Sequence, residues 1–221
     1  MKGPRAHLLW LSLFAISMAY LEAAVVVYLR SLYYPDDPLV IFPLRVLSRY
    51  HLPIELAREL ATLIMILSVA RLAERGLARV FAAFVYVFGV WDIFYYLWLK
   101  LIVGWPVSWL DWDILFLIPW PWLGPWIAPV FIAALFTLWG GWVLASARRY
   151  RWTWGNAALI VAGAVLALAA FLQPAWPLLA AGEEAFRRYR PGGFWWGLYA
   201  PGYLLMATGL LRMLVSSRLQ A

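Results

Sequence analysis

Glu22, Glu55, Arg58, Glu59, Asp92 and Lys100 all interrupt stretches of sequence that are otherwise apolar. A charge deep in a bilayer costs about 2.5 to 3.5 kcal/mol even on a lenient scale, so such groups face a partner or a cavity. At 100° per residue, Glu55, Arg58, Glu59 and Thr62 fall within an arc of about 100° on one helix, and Asp92, Tyr95, Tyr96 and Lys100 within about 140° on another. Carboxylates gathered this way can exchange protons or hold a hard divalent cation such as Mg²⁺, Ca²⁺ or Mn²⁺. Glu22, Glu55, Glu59 and Asp92 would be the ligands of such an ion, with Glu55 and Glu59 on adjacent turns. Arg58 suits an anionic group, and Tyr95 and Tyr96 are hydrogen-bond donors. The plainer alternative is mutual pairing: Arg58 with Glu22 or Glu59, and Lys100 with Asp92 or an aspartate of the next loop, Asp111 or Asp113. Acids outnumber bases in the set, which leaves carboxylates needing a proton, a cation or a ligand.

The elements that must position these groups are transmembrane helices. The chain has 221 residues, 66% of them apolar and only 13% charged, about half the charged fraction of a soluble domain. Apolar runs predict about six helices: from Leu8 to about Leu29, Pro53 to Leu72, Leu77 to Val103, Pro125 to Ala147, Asn156 to Leu172 and Phe194 to Val215. The fold class is thus an all-α polytopic bundle, a single transmembrane domain over residues 1–221. The first run is too long for a signal peptide and carries Glu22, so it reads as a retained helix. Between Arg30 and Leu52 lies a proline-containing loop, in which Leu39 to Leu47 is a candidate interfacial helix. Trp109 to Gly124, broken by Pro119 and Pro121, is too short in its apolar pieces to span and reads as an interfacial or re-entrant hairpin.

With both termini cytoplasmic, ten basic residues fall inside: Lys2, Arg5, Arg71, Arg75, Arg79, Arg148, Arg149, Arg151, Arg212 and Arg218. Seven fall outside: Arg30, Arg45, Arg49, Lys100, Arg187, Arg188 and Arg190. The location expected is a bacterial cytoplasmic membrane. In this orientation Glu22 and Glu59 lie roughly 10 Å, and Asp92 roughly 15 Å, below the outer boundary, so three consecutive helices put their charges in one half of the membrane. The net charge of +7 sits in short loops beside helices and points to lipid head groups, not to nucleic acid. Sixteen tryptophans and twelve tyrosines fit interfacial belts, and those inside the spans can also line a pocket.

Several chemistries are excluded. No cysteine is present, so disulfides, thiolate metal sites and cysteine nucleophiles drop out. His7 and His51 are the only histidines and are predicted at opposite membrane faces, which leaves no bis-histidine haem site within the chain. Glu183-Glu184 followed by Arg188 matches the Glu-Glu-x-x-x-Arg pattern of CAAX-type intramembrane proteases, but no histidine follows. The pair Glu55-x-x-x-Glu59 resembles the glutamate pair of undecaprenyl-pyrophosphate phosphatases, yet their glycine–serine–arginine phosphate loop has no counterpart. The segments Gly89-Val90-Trp91-Asp92-Ile93-Phe94-Tyr95-Tyr96, Gly104-Trp105-Pro106 and Trp112 to Pro119 are similar to an uncharacterised family of bacterial polytopic membrane proteins. That resemblance covers residues 86 to 130 best and implies no activity.

The function expected is binding, and conceivably processing, of a lipid-like or amphipathic ligand at an outer-leaflet site of Glu22, Glu55, Arg58, Glu59, Asp92, Tyr95, Tyr96, Lys100 and Asp113. No catalytic residue is assigned. A proton- or cation-coupled transporter and an accessory subunit of a larger membrane assembly are the alternatives. Membrane lipid is the expected partner, with a homodimer or other membrane subunits allowed.

Overall fold

The computed structural model describes residues 4–37, 39, 41–216 and 218–219. Its long helices are α1 (Pro4–Tyr33), α2 (His51–Ala73), α3 (Leu77–Val103), α4 (Ile127–Ala145) and α5 (Trp154–Leu172). After α5 come the short α6 (Trp176–Ala181) and α7 (Glu183–Arg188), and then α8 (Trp196–Val215). The chain is an all-α bundle in which α1, α3, α4, α5 and α8 are long and apolar enough to cross a membrane. The sequence predicts a sixth span, and α2 has its length, about 34 Å at 1.5 Å per residue. Its polar stripe keeps it out of the apolar set, yet it runs the whole height of the bundle. Its first residue, His51, accepts from or donates to the Tyr33 hydroxyl at the end of α1 (2.7 Å). Just past its other end, Glu74 meets His7 in the first turns of α1 (3.4 Å).

Alternation of direction brings both ends of the chain to one face, the terminal end. Residues 148–149 and 218–219 pair there as a two-residue antiparallel ladder. At the same end Arg79 of α3 reaches the last carbonyls of α4. The opposite end carries the hairpin. Its strands β1 (Trp112–Phe116) and β2 (Trp122–Pro125) pair antiparallel, with Asp113 opposite Gly124 and a bulge between Ile114 and Phe116. The hairpin expected from sequence is thus a β-ribbon, which satisfies its own backbone groups where a bare loop would not. Gly124 lets it seat on the bundle: a Cβ there would stand 2.9 Å from the Phe171 ring and 3.0 Å from Phe194. The interfacial helix expected over Leu39–Leu47 is not formed among the described residues of that segment.

The helix α3 lies between α1 and α4, and α5 pairs closely with α8. Small residues permit both approaches. A Cβ on Gly163 of α5 would meet the Gly202 carbonyl of α8 at 2.5 Å, a distance at which only glycine fits. Aromatic N–H and O–H groups then pin the helices together. Trp98 donates to the Ile16 carbonyl (3.2 Å), Trp139 to Leu210 (2.8 Å) and Tyr199 to Ala128 (2.6 Å). With no water in the hydrocarbon to compete, a buried donor gains most from a carbonyl, and these three have one. The result is a stiff frame on which α1, α2, α3 and the hairpin hold their polar side chains.

Candidate ligand-binding site

The stripe on α2 closes on α1 as the sequence expects. Arg58 donates through Nη1 to Glu22 and through Nε to Glu55 (2.7 Å), one guanidinium shared by two carboxylates. Glu55 is 5% exposed, so its pairing removes an otherwise costly charge from the interior. Glu59, equally buried, does something the sequence did not reveal. Both its oxygens accept from the backbone N–H of Leu117 (2.9 and 3.0 Å), at the turn of the hairpin. A free N–H at a hairpin tip thereby gains an acceptor, and α2 becomes latched to the ribbon.

Further along α3, Asp92 is 9% exposed and makes no hydrogen bond, with Oδ2 fully enclosed. Beside it the Trp91 indole N–H is also without an acceptor. Asp113 of β1 folds in from the loop and meets Arg30 (3.5 Å), whose guanidinium stacks over the Trp105 ring at 4.2 Å. That pair is loose. Arg30 Nη1 and Asp113 Oδ2 are both buried and unpartnered. Arg30 belongs to the site although sequence reasoning placed it in a loop. The reason is that α1 continues to Tyr33, four residues past the apolar run, and carries Arg30 two turns above Glu22 on a similar face.

Two candidates leave the site. Lys100 is exposed and donates to the carbonyls of Gly104 (2.9 Å) and Pro106 (2.8 Å), closing the end of α3 where Gly104 takes the left-handed conformation. It pairs with neither Asp92 nor a loop aspartate. Asp111 instead accepts from the Val107 and Ser108 N–H groups (2.6 and 2.8 Å) and shapes the loop. Nor do the carboxylates gather as metal ligands would. Among the described residues no group of three or more His, Asp or Glu side chains is placed to hold an ion. Arg58 and the Leu117 N–H have claimed Glu22, Glu55 and Glu59, so the divalent-cation expectation loses its ligand set.

What the polar groups border instead are two cavities. The larger, about 380 Å³, lies at the hairpin end between α1, α2, the proline-containing loop and the ribbon. Its wall is mainly aliphatic, with Tyr33, Tyr34, three arginines (Arg30, Arg45 and Arg58) and three acids (Glu55, Glu59 and Asp113) among the lining groups. Tyr34 organises the loop by donating to the carbonyls of Ile41 (2.7 Å) and Pro43 (3.3 Å) and accepting from the Arg45 N–H (2.9 Å). Burial pushes its hydroxyl above the usual tyrosine pKa against the pull of Arg45, so it remains a neutral donor. The exposed Arg45 guanidinium sits over the Tyr34 ring (5.4 Å) and has no carboxylate partner among the described residues.

The smaller cavity, about 290 Å³, lies deeper, under the ribbon and between α2, α3, α4 and α5. Aromatic rings from α3, α4, α5 and the hairpin alternate with aliphatic side chains on its wall, and Asp92 faces it. The two cavities share Val26, Arg58, Glu59, Tyr95 and Ile114, so they meet across one polar partition. Tyr95 and Tyr96 stack edge to face at 4.9 Å behind it, and only Tyr95 borders both spaces.

No family model, no curated protein and no solved structure matches the chain.

Proposed function

We propose that the protein is a multi-pass protein of a bacterial cytoplasmic membrane, with both termini cytoplasmic, that binds an amphipathic, lipid-like molecule in the larger cavity. The observation that carries the reading is the mismatch between that cavity's aliphatic wall and its two under-used guanidinium groups. Arg30 lines it with Nη1 unpartnered, and Arg45 at its rim lacks a carboxylate. A buried donor without an acceptor costs about 1 to 3 kcal/mol, which an acidic head group would recover. Tyr33 and Tyr34, whose hydroxyls are engaged with His51 and with the loop backbone, hold the loop in place beside the cavity, and the aliphatic wall takes the tail. The orientation rests on the ten basic residues at or near the terminal end against seven at the hairpin end. This puts the cavity in the outer leaflet, where an amphiphile can enter from the lipid.

Native mass spectrometry of the protein released from lipid nanodiscs tests the reading. The wild type should carry one acidic amphiphile per chain. Arg45→Gln should lose most of it, and Leu56→Trp, which fills the cavity from α2, should lose all of it. A bare wild-type chain, or an adduct that persists in Leu56→Trp, would remove the cavity from the role.

A further inference from the structure

The deeper cavity has a different chemistry. We infer that it is a second site, for a small organic cation (an amine or quaternary ammonium), with Asp92 as the counter-charge. Asp92 lies on α3 more than nine-tenths buried, faces the cavity and has no hydrogen bond or cationic partner among the described residues. An unpaired buried carboxyl is expensive, and a cation placed in the cavity relieves it. The surrounding wall suits that occupant. Phe88, Trp91, Tyr95, Phe116, Trp122 and Phe136 present rings on several sides of the space, and aromatic faces attract quaternary and protonated amines through their quadrupoles.

The balance of charge on the wall is negative. Glu22, Arg58, Glu59 and Asp92 line the cavity, three acids to one base, and Arg58 is already shared between Glu22 and Glu55. The nearby Asp113 is paired with Arg30 and leaves that balance as it is. A neutral apolar guest would leave this imbalance untouched, and an anion would worsen it. A metal ion lacks the ligands. The inference rests on Asp92, which lines the deeper cavity and not the larger one, although Arg58, Glu59 and Tyr95 border both.

Equilibrium dialysis of radiolabelled benzyltrimethylammonium against the protein in nanodiscs, with empty nanodiscs as the blank, tests it. The wild type should bind saturably at one cation per chain. Asp92→Asn keeps the side-chain shape and should weaken binding by about ten-fold or more, the scale of one charge-assisted contact. Ala164→Phe fills the same cavity from the partly open face of α5, away from Asp92, and should block the cation too. Neopentylbenzene, the neutral carbon analogue, should not compete. The site is overturned if the cation does not saturate, if Asp92→Asn binds it as well as the wild type, or if neopentylbenzene displaces it equally. Loss of the acidic amphiphile in Arg45→Gln with retention of the cation would separate the two sites.

Discussion

Arg79 at the terminal end and the groups around Asp92 at the hairpin end show two ways of keeping charge in a membrane bundle. Arg79 grips Glu74 with two donors (2.7 and 2.9 Å) and spends the rest on the carbonyls of Val143, Leu144 and Ser146 (3.1 to 3.3 Å). It thereby caps the end of α4 and ties it to the connection between α2 and α3, where Glu74 also receives His7. Nothing is left over for a ligand. Among the described residues the terminal end leaves one neutral donor, Trp152 Nε1, without a partner, whereas toward the hairpin end Arg30, Trp91, Asp92 and Asp113 each keep such an atom, three of them on charged groups. A structural ion pair is complete in itself, whereas a binding site is complete only with its guest. Cavities of about 290 and 380 Å³ occur where the polar groups are incomplete.

Mutations can break or sharpen this contrast. The largest effect is expected from Arg79→Met, which strands Glu74 and uncaps α4 together. A loss of about 3 kcal/mol follows from breaking a partly buried pair, read as a lower unfolding midpoint in detergent. Arg58→Met should come next, at about 2 kcal/mol, because Glu22 and Glu55 lose their common cation. Adding Glu22→Gln to Arg58→Met should recover part of that loss, and a double-mutant cycle without such coupling would dissolve the triad. Asp92→Asn should do the opposite and leave the midpoint unchanged or raise it by up to about 1 kcal/mol, since it removes an unpaired buried charge. A large destabilisation there would make Asp92 structural after all. The smallest effect, about 0.5 kcal/mol or less, is expected for Lys100→Ala, which only closes an exposed helix end. Binding of either probe should survive it.

The helices were readable because hydrophobic length is a strong signal: α3 runs over Leu77–Val103 as the apolar pattern predicts, and the other spans agree to within about four residues at either end. The Arg58 stripe was readable for a similar reason, since angular position on a helix follows from spacing alone. Depth and direction were harder. The extension of α1 to Tyr33 hid Arg30, and the C-terminal turn of α3 drew Lys100 away to Gly104 and Pro106. The sequence marks Glu59 as a candidate but not as a latch, because its partner is the backbone N–H of Leu117 in the connection between the two strands, and no side-chain pattern encodes that. The strands themselves were concealed by Trp, Pro and Leu, which serve ribbons and membrane interfaces alike.

The bond between Glu22 and Arg58 also bears on how the chain enters the membrane. The second helix, with Glu55, Arg58 and Glu59 on one face, is a poor substrate for the insertion machinery when taken alone. Its charges become tolerable once Glu22 of the preceding helix meets them. For α2 to cross the membrane, α1 should therefore remain beside the translocon until the pair has formed, and the two helices are expected to leave it as a hairpin.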